Sequence, residues 1–435
     1  MEWKEHCYRA GSHVEAFESI PPEGMDLNTF CAKTRKHIEP WLSAVFQAEH
    51  LNLLLGSGFT TAIAYAAGTK AADMAQVGLG SEYDPQISAH AKKSAAKMGR
   101  GTANIEDQFR SALSLLDGLA VIDDGAAETL KALLDSSFLV FLQNILATER
   151  GISEPDEKKK KKAEALLQSF LLTFASRSAS RERLHVFTTN YERVIEHGCD
   201  LAGLRIVDRF VGALNPLFRS SRVELDMHYN PPGIRGEPRF LEGVIRLSKL
   251  HGSIDWQYDT HNKLIRRAGL PFGAPDDHTD IPKNPINTVM VYPNAAKDVE
   301  TTMYPYAEMF RDMAAAMCRP NAVAITYGYG FGDDHINRTL FDMLSIPSTH
   351  IVIIAYHTDE RLRQFYSNVR PAQVTLLCGE HFANLDNLVE HYLPKPALDY
   401  ITSRLTDVLR QRPDPTEDAQ TYIRPVVEAA SSPTK

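Results

Sequence analysis

Short apolar runs are the feature that most constrains how this chain of 435 residues can fold. They occupy residues 51–55, 184–187, 204–207, 243–250, 288–292, 322–326, 351–355 and 373–377. Patterns typical of helices lie between several of them, at 191–202, 301–318 and 334–344. Strands that are nearly continuous apolar runs, separated by helices, are typical of a parallel sheet that helices cover on both faces. The sequence therefore predicts an α/β fold with a doubly wound parallel sheet.

A long helical stretch interrupts this alternation after the first apolar run. Its clearest segments are 105–119, 126–147 and 163–174, and the sequence shows no convincing strand between residues 70 and 180. We therefore expect residues 50–69 and 181–400 to form the sheet domain, with residues 70–180 inserted as a helical lobe. Residues 1–49 are predicted to be an N-terminal helical arm. Residues 401–435, rich in Pro, Ser and charge, are predicted to be a C-terminal extension.

Composition narrows the class of protein. The formal net charge is −8, so the basic surface of a dedicated nucleic-acid binder is not expected, and Lys158–Lys162 are read as a solvated helix start. No apolar stretch approaches the ~20 residues of a membrane span, and the first residues lack the apolar centre of a signal peptide. We expect a soluble, cytoplasmic protein without membrane contact. The five cysteines never form a CxxC pair, which argues against a disulfide framework and a zinc site.

The turn after the first apolar run carries two glycines. In a doubly wound sheet, ligands bind beyond the carboxyl ends of the strands, so the residues of these turns are the candidates for chemistry. Gly56, Ser57 and Gly58 lead into an alanine-rich helix, whose N-terminus could accept a pyrophosphate between the backbone amides. Thr61 stands where a dinucleotide fingerprint has its third glycine, so a simple tight turn fits this segment equally well.

Two further strand ends carry polar side chains. In LHVFTTNYERVIE, Thr189 and Asn190 interrupt an apolar strand just before a helix, and either residue could be a helix N-cap instead of a ligand-binding group. In VIRLSKLHGSIDW, His251 directly follows a strand. A lone histidine is more often structural than catalytic, but at this position a neutral imidazole would face the crevice and could accept a proton near pH 7.

A fourth strand ends in the glycine-rich segment GYGFGDDHIN. Gly328, Gly330 and Gly332 would permit a close approach of the backbone to a ligand, and Asp333 is a plausible N-cap for the helix that follows. Each of the four turns is weak evidence for a binding site by itself. Their combination, in this order, is the specific signal.

GSG at 56–58, TTNY at 188–191, LHGS at 250–253 and GYGFGDDHIN at 328–337 together resemble the sirtuin-like family of NAD-binding domains. The resemblance extends over about residues 50–380 and implies a Rossmann-like fold that binds NAD. By matching motifs it implies two catalytic residues, Asn190 and His251. It also implies a set of residues that contact NAD: Gly56, Ser57, Gly58, Thr60, Thr189, Asp107, Gly328, Gly330 and Phe331.

Two departures from the family pattern indicate a subgroup. Deacylating sirtuins hold a structural zinc with two CxxC pairs, which this chain lacks. The large insertion and the segment NIEDQFR at 104–110 resemble bacterial sirtuin-like antiphage effectors that hydrolyse NAD. The resemblance therefore implies an NAD hydrolase that releases nicotinamide and ADP-ribose and acts by abortive infection. It further implies a homo-oligomer and a HerA-like hexameric ATPase as a partner.

Two other functions remain open at this point. The same motifs would allow an acylated lysine to replace water, giving an NAD-dependent protein deacylase, although the missing zinc lobe disfavours this reading. A sensor or scaffold that binds NAD or ADP-ribose without catalysis is a different class. The simultaneous presence of Asn190 and His251 argues against it, because a pure binding module does not need that pair.

Overall fold

The computed structural model of the chain describes residues 3–97, 102–154, 157–220, 226–229, 239–259, 263–283, 285, 288–291 and 305–395. The predicted extension at 401–435 lies outside these residues, as do parts of the predicted segments 288–292 and 301–318. The strands of the described part, in chain order, are β1 (His6–Ala10), β2 (His13–Phe17), β3 (His50–Leu55), β4 (Leu184–Thr188), β5 (Arg205–Val207), β6 (Phe210–Val211), β7 (Leu217–Phe218), β8 (His228–Tyr229), β9 (Arg239–Phe240), β10 (Val244–Lys249), β11 (Gly252–Asp259), β12 (Leu264–Arg267), β13 (Val289–Val291), β14 (Ala322–Tyr327), β15 (His350–Ala355) and β16 (Val374–Cys378).

Helices connect most of the long strands. In the described part they are α1 (Leu27–Val45), α2 (Ser57–Ala67), α3 (Asp84–Lys97), α4 (Ile105–Val121), α5 (Ala126–Ser153), α6 (Glu157–Ala175), α7 (Val194–Ala202), α8 (Tyr306–Met317), α9 (Asp334–Ser345), α10 (Glu360–Ser367), α11 (Glu380–Ala383) and α12 (Leu385–Asn387). A 3₁₀ turn at Pro371–Gln373 leads into β16, and a π-helical turn at Leu388–Tyr392 follows α12.

The apolar runs form the centre of a nine-stranded sheet, in the spatial order β2-β1-β16-β15-β14-β3-β4-β10-β5. Its seven strands from β16 to β5 are parallel, and β1 and β2 extend it as antiparallel edge strands. The six strands β10-β4-β3-β14-β15-β16 have the 3-2-1-4-5-6 order of a Rossmann fold. The fold is thus α/β with a Rossmann-like sheet, as the sequence predicts. Its switch point lies between β3 and β14, where the chain reverses its direction across the sheet.

Each face of the sheet is covered by its own set of helices. Along β3, Leu53 and Leu55 point into a core with α2 and α6, while Leu54 points into the opposite core with α8 and α9. This alternation follows from the two-residue repeat of a strand. Both faces are therefore dry, which explains why the strand from Leu51 to Leu55 is apolar except at Asn52, whose buried side-chain amide donates to the carbonyl of Val323 at 3.2 Å.

The helices α3 to α6, which follow α2 in the chain, divide between two layers. Helices α3, α4 and α5 pack around their own apolar core, and we call these three helices the helical lobe. Helix α6 returns to the sheet, because Leu167, Phe170 and Phe174 belong to the core that covers β3 and β4. Contacts group Met1–Pro394 into one unit, so the helical lobe is continuous with the sheet domain.

Helix α5 is apolar for a structural reason. Among the helices of the described residues, α5 is the one that is long enough and apolar enough, by length and composition alone, to cross a membrane. Its side chains Leu130, Leu134, Phe138 and Phe141 instead form the core of the helical lobe with α4.

Three strand systems were not predicted, and one of them is the antiparallel pair β8–β9. Another is the hairpin β1–β2 in the segment expected to be a helical arm; it precedes α1 and adds two strands to the sheet edge. The third is a five-stranded sheet of order β13-β11-β12-β7-β6, to which the predicted run at 288–292 contributes β13. Strand β11 begins one residue after His251, so this second sheet is joined directly to the candidate site.

Candidate functional site

Two glycine-bearing turns meet at the switch point. The amide of Gly58 donates to the carbonyl of Gly328 at 3.1 Å, and the amide of Gly56 donates to the carbonyl of Tyr327 at 3.1 Å. A Cβ atom on Gly58 would lie 2.6 Å from the Cα atom of Gly328, which itself has a φ of +64°. Glycine is therefore required here to pack the turn after β3 against the turn after β14. This requirement exists whether or not a ligand binds.

A cavity opens beside this contact, at the carboxyl ends of the parallel strands. It encloses about 1110 Å³ of space, with its open mouth included. Its wall contains most of the predicted site residues, namely Gly56, Ser57, Thr60, Thr189, Asn190, His251, Gly328 and Gly330. These come from four separate turns, so the fold brings the four sequence motifs to one place. We call this space the main cavity.

Asn190 is held in the main cavity by its amide hydrogens. Its Nδ2 donates to the carbonyl of Gly56 at 3.0 Å and to Oγ1 of Thr60 at 3.1 Å. Because an amide nitrogen has two hydrogens, the group left for a bound molecule is the acceptor Oδ1. Helix α7 begins at Val194 and its N-cap is Arg193, so neither Thr189 nor Asn190 caps this helix. The capping alternative is thereby excluded.

The turn that carries Asn190 is anchored by a buried lysine that the sequence reading missed. Lys249, at the end of β10, is 2% exposed. Its Nζ donates to the carbonyls of Tyr191 (3.2 Å) and Glu192 (2.7 Å) and contacts Ser253 Oγ at 2.9 Å. It also pairs with the Glu196 carboxylate at 3.1 Å. Lys249 thus fixes the turn after β4 relative to the turn that holds His251.

His251 lies in the same wall, close to a carboxylate from the helical lobe. Its side chain is 6% exposed, and its Nδ1 lies 3.8 Å from Oε1 of Glu106 on α4. The hydroxyl of Tyr191 donates to the same Glu106 oxygen. Burial, together with the Glu106 carboxylate, raises the pKa of Tyr191 well above its ordinary value. Tyr191 therefore stays protonated and remains a donor at physiological pH.

A second carboxylate, Glu192, follows Tyr191 and accepts a hydrogen bond from Thr60. Burial raises the pKa of Glu192, while the Thr60 hydroxyl and the nearby Lys249 charge act in the opposite direction. Asn190 donates to Thr60, and Thr60 in turn donates to Glu192. These two consecutive hydrogen bonds set the direction in which the Asn190 side-chain amide points.

The helical lobe is tied to this wall by a buried ion pair. Glu149 on α5 accepts from the backbone amide and from the guanidinium of Arg193, with the Nη2 to Oε2 distance at 2.6 Å. Glu149 also accepts from the amide of Gly273 at 3.0 Å, and Arg193 donates to the carbonyls of Leu270 and Pro271. Helix α5 also lines the main cavity through Ile145 and Thr148. The lobe is therefore part of the cavity wall.

The late glycine segment closes the other side of the main cavity. Asn337 holds it, because its Nδ2 donates to the Phe331 carbonyl at 2.9 Å and its Oδ1 accepts from Tyr329 at 3.0 Å. Asp333 occupies the N-cap position of α9, as predicted, but its side chain does not cap the helix; it lines the cavity. Arg361 on α10, which sequence reasoning missed, lies beside Gly332 and supplies a cation to the wall.

A second cavity adjoins the first across the glycine contact. It encloses about 1130 Å³, its mouth included, and shares Ser57, Thr61 and Gly328 with the main cavity. Gly58 lines this second cavity and not the main one. Its outer wall carries the exposed rings of Tyr65 and Tyr356. The two cavities thus flank the switch point of the sheet, one on each side.

Two predicted site residues lie outside both cavities. Asp107 is fully buried and closes the capping box of α4: it accepts from the Asn104 amide at 3.2 Å, and Asn104 accepts from the Asp107 amide at 3.0 Å. Its neighbour Glu106 is the residue that reaches the main cavity. Phe331 has a left-handed backbone (φ +52°), and its ring packs between Tyr329 and Phe365 in the core.

The described residues contain no group of three or more His, Cys, Asp or Glu side chains arranged to hold a metal ion. Four of the five cysteines are buried.

A comparison of the sequence with known protein families finds no matching family. A search of curated proteins also finds no significant match.

Proposed function

We propose that this protein hydrolyses the N-glycosidic bond of NAD, releasing nicotinamide and ADP-ribose. One observation carries the proposal: Asn190 and His251, 61 positions apart in the chain, line one cavity beside the glycine turn of a Rossmann-like switch point. Dinucleotides bind in this crevice in Rossmann folds. The resemblance of the four motifs to sirtuin-like domains supports the same ligand.

The surroundings of the glycine turn suit a pyrophosphate. Helix α2 begins at Ser57, and its N-terminus lies in the wall of both cavities. The helix dipole and the amides of the first turn favour an anion there. Arg361 adds a positive charge on the opposite side of the main cavity. A dinucleotide that lies across the glycine contact would place one nucleoside in each cavity.

The reaction needs little more than a positioned water and a place for positive charge. The bond between C1′ of the ribose and the ring nitrogen of nicotinamide breaks, and its electron pair leaves with nicotinamide, which becomes neutral. The oxygen of a water molecule then bonds to C1′. We assign the orientation of this water or of a ribose hydroxyl to Oδ1 of Asn190, and the acceptance of the proton to His251.

Incubation of the purified full chain with NAD tests this proposal. We expect nicotinamide release without any peptide substrate, measured by liquid chromatography. Asn190→Ala and His251→Ala should each lower the rate by at least about 100-fold, since a positioned base contributes about that much. The exposed residues Asn368 and His335 provide matched controls, and Asn368→Ala and His335→Ala should keep the full rate.

Three other results would contradict the proposal, and each points to a different function. Nicotinamide release that requires an acylated peptide identifies a deacylase. Binding of NAD in a calorimeter without turnover identifies a sensor. A chain that neither binds nor cleaves NAD has a different ligand.

We also propose, from the sequence resemblance alone, that NAD depletion by this protein protects bacteria from phage as part of a homo-oligomer with a HerA-like ATPase. Expression of the chain together with a neighbouring ATPase gene should lower cellular NAD during infection. Unchanged NAD levels would contradict this role while leaving the enzymatic proposal intact.

A further inference from the structure

The helical lobe contributes a buried carboxylate to the main cavity. Glu106 is 8% exposed and lies in the first turn of α4, two residues after the N-cap Asn104. A buried carboxylate is unfavourable unless it is hydrogen-bonded, so its partners indicate what it is for. The positive end of the α4 dipole favours the ionised form at this position.

Glu106 connects three elements of the site. Its Oε1 accepts from the Tyr191 hydroxyl, and its Oε2 lies 3.4 Å from Nδ2 of Asn104. Oε1 also lies 3.8 Å from Nδ1 of His251, which is too long for a hydrogen bond but within the range of an ion pair. At this distance the carboxylate acts on the imidazole through its charge.

We propose that Glu106 is a positioning residue that sets the tautomer of His251. With the carboxylate facing Nδ1, the proton of the neutral ring resides on Nδ1, and Nε2 is left as the proton acceptor. When Nε2 takes a proton, the imidazolium is stabilised by the Glu106 charge. This role rests on the proposed function, in which His251 is the base. It makes the inserted lobe a necessary part of the catalytic site.

Other charged or titratable groups also surround this histidine. Tyr191 and Glu192 after β4, Asp333 before α9 and Arg361 on α10 line the same cavity. Tyr306 on α8 acts electrostatically on Tyr191. Glu106 is paired with His251 at 3.8 Å, so its charge acts directly on the imidazole.

The variant Glu106→Gln removes the charge but keeps the side-chain length. Because Nδ2 of Asn104 donates to the Oε2 position, the glutamine oxygen should take that position and its nitrogen the position of Oε1, which faces Nδ1 of His251. An NH2 group there favours the proton on Nε2, so the base would be lost. We expect kcat for nicotinamide release to fall by about 100- to 10,000-fold, with KM within about twofold. The acidic limb of the pH–rate profile should move to lower pH by about one unit, because an opposite charge has been removed.

Two further variants separate positioning from a merely structural role. Tyr191→Phe removes a donor to Glu106 but leaves the charge, so it should lower kcat less and leave the acidic limb in place. Glu128→Gln, at an exposed position of α5, should change neither kcat nor the pH profile. A Glu106→Gln protein with the wild-type kcat and pH profile would overturn the proposal, while loss of activity in His251→Ala alone would still support the proposed function.

Nuclear magnetic resonance of the labelled histidine rings tests the same idea without turnover. In the wild-type protein we expect the neutral ring of His251 to carry its proton on Nδ1, and in Glu106→Gln on Nε2. The midpoint of the His251 titration should also fall to lower pH in the variant. The same tautomer and midpoint in both proteins would overturn the positioning role, whatever the enzyme assay shows.

Discussion

The two walls of the main cavity are held in place by different kinds of contact. In the wall from the sheet, backbone packs directly against backbone where Gly58 meets Gly328, and the Lys249 ammonium adds hydrogen bonds to the carbonyls of the turn after β4. The wall from the helical lobe is held by side chains, above all the buried pair of Glu149 and Arg193. We therefore expect a steric change at the glycine contact to damage the first wall and a charge change at the ion pair to damage the second.

Removal of one partner of the buried pair should have the largest effect on stability. Glu149→Ala leaves the Arg193 guanidinium buried without its carboxylate, so we expect the free energy of unfolding to fall by about 3–5 kcal/mol. Denaturant titration of the purified protein measures this, with Glu128→Ala as a control at an exposed position of the same helix.

A double variant sharpens this test. Replacement of both charged residues, Glu149→Leu with Arg193→Met, should recover part of the lost stability, since no unpaired charge then remains. A loss below about 1 kcal/mol in Glu149→Ala would show that the ion pair does not hold the lobe wall.

A methyl group at the glycine contact should have the next largest effect. Gly58→Ala places a Cβ atom 2.6 Å from Cα of Gly328, where two backbones leave no room, and should destabilise the protein by about 1–3 kcal/mol. Gly118→Ala on α4 is the matched control: its Cβ would meet no atom within 4 Å. It should stabilise the helix by about 0.5–1 kcal/mol. Equal effects at the two positions would contradict the role of backbone packing.

Acid should weaken the sheet side through the buried neutral His381, and over the first pH unit below 6.5 this is the smallest of the three effects. Burial lowers the pKa of His381 to about 4, and its Nε2 lies 2.7 Å from the Tyr392 hydroxyl. Because the pKa in the unfolded chain is about 6.5, the unfolded state takes up the proton first as the pH falls. The stabilisation is complete above pH 6.5 and is lost between pH 6.5 and 4, by at most about 1.4 kcal/mol per pH unit.

Unfolding curves at several pH values measure this contribution. His381→Gln keeps a hydrogen-bonding group for Tyr392 but does not titrate, so its stability should depend less steeply on pH in this range. His335→Gln, at an exposed position, should keep the wild-type slope. The same slope in all three proteins would show that protonation of His381 is not linked to unfolding.

The sequence predicts the sheet well because its strands are defined locally. Each central strand is mostly apolar, and the turn after it shows its glycines and polar residues within a few positions. The hairpin β1–β2 and the small second sheet have no such signal. Strands β6 and β7, for example, are two residues long and depend on pairing with distant segments.

The residues of the site likewise divide into those that the sequence predicts and those that depend on the folded structure. Asn190 and His251 follow strands, and their convergence follows from the parallel sheet. The choice between Glu106 and Asp107 could not be made from NIEDQFR, because it depends on the rotation of α4, which the capping box of Asn104 and Asp107 fixes. Lys249 did leave a signal: it ends a strand of a sheet expected to be covered on both faces, where a lysine is rarely buried without partners.

The Glu149–Arg193 pair has a consequence for how this protein could have diversified. Insertions in surface loops are usually exchangeable modules, since few contacts cross their boundaries. Here the inserted α5 supplies the counter-charge for an arginine that directly follows the Asn190 turn. Deletion or replacement of the insertion would leave that arginine unpaired within the wall of the cavity. The helical lobe and the turn after β4 must therefore change together, and a chimaera that takes only one of them should inherit an incomplete cavity.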